Sequence, residues 1–131
     1  MRKRIYVTGP INRMNEFTHK TSLINISLLC RKIIMLGHIP YSLVGQIDDW
    51  KQDVRLERLQ YHWLSSMCMP IMDICQFLCY IPDMSGMKST IMAEEMDIWR
   101  VSGKRMLTAD YISKFLLEGK DNYYGDGYYR T

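Results

Sequence analysis

Two adjacent acids, Glu94 and Glu95, stand in an amphipathic run that follows an apolar strand and a polar turn. A carboxylate near the start of such a helix, just past a strand's carboxyl end, should face a pocket. It would act as nucleophile or as electrostatic stabiliser. Neighbouring helical residues point about 100° apart, so at most one of the two faces a pocket squarely and the other belongs to solvent or an ion pair. Ser85 and Ser89, with the free N–H groups of a helix start, suit a phosphate, and the same side chains are equally able to cap the helix. Tyr6 and the Gly9-Pro10 turn would form another wall, Gly9 allowing close approach of backbone to ligand. Tyr6 is also open to a plain packing role in a sheet. Glu57 or Asp53 offers a carboxylate to a ligand hydroxyl or, more simply, forms the wet side of a helix. His19 and His62 have no partner that the sequence names, His38 stands at a strand start, and none of the three receives a role.

The elements that must hold these groups alternate strand and helix. Phe77 to Ile81 is a short apolar strand, stopped by the turn Pro82-Asp83-Met84-Ser85-Gly86. From Lys88 on, Ile91, Met92, Met96, Trp99 and Val101 mark one helix face. Ser102-Gly103 ends that helix, and Lys104 to Thr108 forms the next strand. Upstream, Arg4 to Thr8 is a first strand running into Gly9-Pro10, and Leu23, Ile26, Leu29, Cys30, Ile33 and Ile34 mark a helix that ends at Gly37. His38 to Ser42 is extended, with Pro40 confining it to a strand end or an edge. Asp49-Trp50 reads as the start of a helix carrying Val54, Leu56 and Leu59, and Pro70 suits the first turn of a short helix over Ile71 to Cys75. Ile112, Phe115 and Leu116 suggest a last short helix ending at Gly119. The order βαβα implies an α/β fold, a three-layer sandwich on a small parallel sheet of four to five strands, flavodoxin-like or Rossmann-like. Residues 1–119 form one domain in this reading, and 120–131 form a tyrosine-rich tail.

With 131 residues and 47% hydrophobic content, the chain suffices for one domain with its own core. A net charge of +3 on scattered Lys and Arg lacks the dense basic stripe of a nucleic-acid binder. No apolar run reaches the ~20 residues a bilayer crossing needs, and the short run after MRKR is not an export signal. The four cysteines include no C-x-x-C pair and read as reduced thiols of a cytoplasmic protein, with no metal and no cofactor expected.

Tyr6-Val7-Thr8-Gly9-Pro10, then Asn15 and Phe17, Gly37-His38-Ile39-Pro40, Asp49-Trp50 with Arg55 and Glu57, and Pro82 before a Ser-Gly turn and an acid-bearing helix follow one another over Arg4 to Leu107. This order resembles the nucleoside 2-deoxyribosyltransferase-like family, with its small phage and bacterial members and the related deoxynucleoside 5′-monophosphate N-glycosidases. The resemblance implies a hydrolase or transferase acting on the N-glycosidic bond of a deoxynucleoside or its 5′-monophosphate. It implies a catalytic Glu under C1′, and substrate contacts from Tyr6, Gly9, Pro10, Asn15, Glu57, Ser85, Gly86 and Ser89. Aligned on Ser85-Gly86, the family's Glu falls on Thr90; counted back from Gly103, it falls on Glu95, with Ser89 at the serine position. Glu95 therefore leads and Glu94 follows. Gln76 stands where the family usually has an Asp. The competing reading is a nucleotide-binding module of the same fold without the chemistry.

The resemblance also implies a homo-oligomer, most simply a homodimer, in which Tyr123, Tyr124, Tyr128 and Tyr129 reach a neighbour's pocket. Trp99, Trp63 and Phe115, read as poorly covered in a chain this small, point the same way.

Overall fold

Four parallel strands form the sheet of the computed structural model, which describes residues 2–57, 64–83 and 90–115. They are β1 (Arg4–Thr8), β2 (Ile39–Tyr41), β3 (Phe77–Tyr80) and β4 (Arg105–Thr108), in the order β2-β1-β3-β4. The two central strands, β1 and β3, are runs of aromatic, branched and thiol side chains, as sheets covered on both faces require. Their register sets Tyr6 beside Leu78 and Thr8 beside Tyr80. Pro40 lies on β2 at the sheet edge, where its missing N–H costs no ladder bond.

Helix α1 (Glu16–Met35) joins β1 to β2. Asn15 begins it with a capping box, its side chain accepting from the Thr18 N–H while the Thr18 hydroxyl accepts from the Asn15 N–H. Gly37, at φ +90°, ends it, with the Gly37 N–H bonded to the Ile34 carbonyl and the His38 N–H to that of Ile33. Ile26, Leu29 and Ile33 are its buried face.

The return from β2 runs through α2 (Val44–Trp50), α3 (Val54–Glu57), a π-helical turn (Leu64–Cys68) and α4 (Met69–Ile74). Asp49-Trp50 therefore ends a helix where a helix start was expected. The chain enters α2 at Leu43 with no side-chain cap, so the usual polar start signal is missing. Asp53 begins α3 instead, its carboxylate accepting from the Arg55 N–H. Pro70 does sit in the first turn of α4.

Helix α5 (Thr90–Val101) then leads to β4. Right-handed crossovers put α1 on one sheet face and the later helices on the other, since β1 to β2 runs one way along the sheet and the later connections run back. Consistently, α5 packs on α2 and on the π-helical turn.

Two expectations about cover fail. Trp99 is buried, its indole N–H donating to the carbonyls of Lys104 and Arg105 at 3.2 and 3.1 Å, with Lys104 Nζ 4.5 Å from the ring centroid. Phe115 is half-buried, edge-on to Phe77 with ring centroids 5.2 Å apart. Both are covered within one chain, and Trp63 lies outside the described residues. Val101, expected on the apolar face of α5, is exposed; the buried stripe is Ile91, Met92, Glu95 and Trp99. No helix among the described residues is long and apolar enough to cross a membrane.

Candidate functional site

In the strand order β2-β1-β3-β4 the chain reverses its direction of travel between β1 and β3. In open parallel sheets the crevice beyond the carboxyl ends of such a pair is where ligands settle. A cleft of about 350 Å³ lies there, within the size range of small-molecule sites. Pro10 and Asn12 after β1, Ile81, Pro82 and Asp83 after β3, and Phe17, Thr18, Thr21, Ser22 and Asn25 of α1 line it. Gly9 is packed between Ile26 and Ile81: a Cβ there would meet each at 3.1 Å, so only glycine lets the β1 turn and α1 come this close. The loop after β1 is tied down by Arg13, whose Nε donates to Asp48 of α2 at 2.5 Å, with His19 Nε2 3.8 Å from the same carboxylate.

On the other face of β1 lies the most unusual group of side chains. Glu95 is 0% exposed. Its Oε2 accepts from the Tyr6 hydroxyl at 2.5 Å and from Cys68 Sγ at 3.4 Å, and its Oε1 accepts from the Thr8 hydroxyl at 2.6 Å. The geometry follows from the elements. Tyr6 and Thr8 are two apart on β1 and so share a face, Glu95 stands on the inner stripe of α5, and the π-helical turn brings up Cys68. Burial dominates the carboxyl group and pushes its pKa up; the three donors oppose that without cancelling it. Burial likewise drives the Tyr6 phenol well above its ordinary range and the Cys68 thiol up to about 12. Tyr6 and Cys68 are therefore neutral donors at any physiological pH. A carboxylate so held is oriented, dry and short of counter-charge, which suits stabilisation of a cationic carbon brought against it.

The acids are thus separated as helical geometry requires: Glu95 is buried in the cluster and Glu94 is exposed. Tyr6 joins Glu95, Pro10 lines the cleft and Gly9 is its tight spacer. Asn15 is taken up in capping α1. Ser85, Gly86 and Ser89 lie outside the described residues, as does the side chain of Glu57. Gln76, at the amino end of β3, accepts the Arg4 N–H on its Oε1 at 2.7 Å, at the opposite pole of the sheet from the cleft.

Thr8 and Cys68 are the members of the cluster that sequence reasoning missed. Thr8 had a signal, being two residues from Tyr6 on the same strand face; Cys68 had none. The thiols of Cys30, Cys68, Cys75 and Cys79 are all free, and no group of three His, Cys, Asp or Glu among the described residues could hold a metal ion. No protein-family model matches the chain, and a search of the curated proteins returns no match.

Proposed function

We propose that the chain cleaves the N-glycosidic bond of a deoxynucleoside or its 5′-monophosphate, releasing the base to water or transferring the 2-deoxyribosyl group to another base. The observation that carries this reading is the buried Glu95, aligned by the Tyr6 and Thr8 hydroxyls at the carboxyl end of β1. In this mechanism the C1′–N bond breaks with its electron pair leaving on the base, which takes up a proton. The positive charge left at C1′ is met by the Glu95 carboxylate, either by electrostatic attraction or by a transient ester. Water or an acceptor base then adds at C1′ and gives up a proton. Tyr6 and Thr8 are positioning residues, fixing the carboxylate's plane; Glu95 has no exposed surface and lines no part of the cleft, so in this mechanism the chain around it must open before C1′ meets the carboxylate. Gln76, remote from the cleft, takes no part.

A second reading keeps the binding and drops the chemistry. Both Glu95 oxygens already have protein donors and the side chain has no exposed surface, as in a carboxyl group that serves only to hold β1, α5 and the π-helical turn together. Incubation with each deoxynucleoside and its monophosphate, followed by chromatography for free base, separates the two. Base release that disappears in Glu95→Gln supports the enzyme, and nucleotide binding without release supports the module.

A further inference from the structure

Lys and Arg residues that lie scattered along the sequence are gathered in space. In an all-parallel sheet every strand starts at one pole, and the helices that lead into the strands end there too. Arg2 and Arg4 open β1, Arg105 opens β4, and Arg31 and Lys32 stand near the end of α1; all five are exposed. Backbone bonds from Ile39 to Lys3 and from Gln76 to Arg4 stitch these ends into one surface, as does Lys104 Nζ on the carbonyls of Met72 and Cys75 at 2.8 and 2.7 Å. The starts of β1 and β4 are two strand spacings apart, about 10 Å, little more than the physiological screening length of about 8 Å. Their charges therefore act together. Lys32 and Arg100 complement the dipoles of α1 and α5, but Arg2, Arg4 and Arg105 open strands, where no comparable dipole calls for them. Asp73 and Asp97 stand near this pole, and Asp97 is already held by Arg100, whereas Asp83 and Asp110 follow the carboxyl ends of β3 and β4.

The same pole carries the most exposed large apolar side chains among the described residues. Val101 and Met35, the last residues of α5 and α1, are 89% and 86% exposed, and Ile74, the last of α4, is 49% exposed. Three helices, drawn from both faces of the sheet, thus end at the basic pole on an apolar tip. We propose that this amino-terminal pole of the sheet docks on an anionic lipid surface, with its arginines and lysines on the headgroups and Met35, Ile74 and Val101 set among them. Separate apolar tips surrounded by cations suit a bilayer interface, where each tip meets hydrocarbon at shallow depth and each cation an acidic headgroup. A protein partner would ask for a contiguous apolar patch with fewer charges at its core. A nucleic acid offers phosphates to the cations and nothing to the three tips. Contact of this kind lies on the membrane and needs no helix that crosses it. It leaves the β1–β3 cleft, at the opposite pole, open to water, and it does not rest on the nucleotide reading.

Co-sedimentation of the full chain with lipid vesicles tests this. The chain should pellet with phosphatidylcholine vesicles that carry about 30% phosphatidylserine at about 0.1 M salt, and should be released at about 0.5 M salt. With phosphatidylcholine alone it should stay in solution. The double variant Arg31→Gln, Lys32→Gln should bind the acidic vesicles at least about tenfold more weakly, each cation being worth about fivefold. Met35→Ser, Val101→Ser should also weaken binding about tenfold or more, with an unchanged far-ultraviolet spectrum and the salt dependence kept. Phe17→Ser, which removes an exposed apolar side chain at the other pole, should bind as the wild type does. Equal binding to both kinds of vesicle overturns the role of the cations, and full binding by the serine pair overturns that of the tips. A loss in Phe17→Ser as large as in the serine pair overturns the assignment to this pole. A chain that pellets with neither vesicle overturns the proposal outright. If that chain binds an oligodeoxythymidine, and Arg31→Gln, Lys32→Gln weakens it, the pole is a nucleic-acid surface instead.

Discussion

Helix α5 buries a carboxyl group that water would solvate well, whereas helix α1 leaves exposed six large apolar side chains, Phe17, Leu23, Ile24, Leu28, Ile34 and Met35, that a core would accept. Each departs from the rule that apolar groups go in and charges stay out, and the departures run in opposite directions. A buried acid raises its own pKa and demands donors, so it marks chemistry or a fixed internal joint. An exposed apolar stripe costs nothing in hydrogen bonding and marks a surface to be covered. The contrast turns on what each group lacks. Glu95 has its hydrogen-bond partners and, among the described residues, no ion pair, and the outer side chains of α1 have only partial cover.

The sharpest way to break the α5 side of this contrast is to remove the charge and keep the shape. Glu95→Gln should lower base release by at least about a hundredfold, with Glu94→Gln near wild type, measured by chromatography of free base. Equal losses in both variants would mean that the helix as a whole, and not one carboxylate, is at issue.

The α1 side is tested by truncating its two faces in turn. Ile26→Ala should destabilise the chain by about 2–5 kcal/mol in urea unfolding, as core truncations do, while Ile24→Ala should stay within about 0.5 kcal/mol. Comparable losses from both would show that the outer stripe is already covered within one chain.

The pH dependence of stability comes next. Glu95 has its folded pKa raised above the ordinary 4.5, so the folded state holds that proton more tightly than the unfolded one. The stabilisation this gives is fully present below the unfolded value and is lost as pH rises through the folded one. The wild type should therefore lose stability relative to Glu95→Gln on going from pH 4 towards neutrality, in thermal melts at stepped pH. Parallel curves would mean that Glu95 ionises as freely folded as unfolded.

The smallest effect should come from Thr8→Val, which keeps shape and removes one donor to the carboxylate. The pKa of Glu95 should rise further, moving the acid limb of the pH–rate profile upward by about one unit, close to 1.4 kcal/mol. An unmoved limb would take Thr8 out of the electrostatics.

Much of the frame was legible. The bounds of β1 follow from an aromatic and branched run that meets Gly9-Pro10, and the edge position of β2 follows from Pro40 alone. Glu95 was singled out by counting back from Gly103 on the helix length that the resemblance implies; the structure shows it buried, and its role in catalysis is the proposal made above. The Asp49-Trp50 boundary misled, since an aspartate near a helix end looks the same whether the helix is starting or finishing. Cys68 stayed invisible because 27 residues and an irregular π-helical turn separate it from its acceptor. The outer stripe of α1 was overlooked for a simpler reason: one apolar face already accounted for the helix, and a second at the same period adds no new period to detect.

The hydrogen bonds from Tyr6 and Thr8 to Glu95 span 89 and 87 residues of chain. On a ribosome working at 5–20 residues per second, β1 is made roughly 4 to 18 s before the helix that completes its cluster. Its principal partner in the sheet, β3, is itself 72 residues downstream. α1 and β2 emerge early and cover one face and one edge of β1, but its other edge waits for β3 and the Tyr6 and Thr8 hydroxyls wait for α5. The order of synthesis thus leaves the Glu95 cluster open until α5 is made, with β4 still to add at the sheet edge.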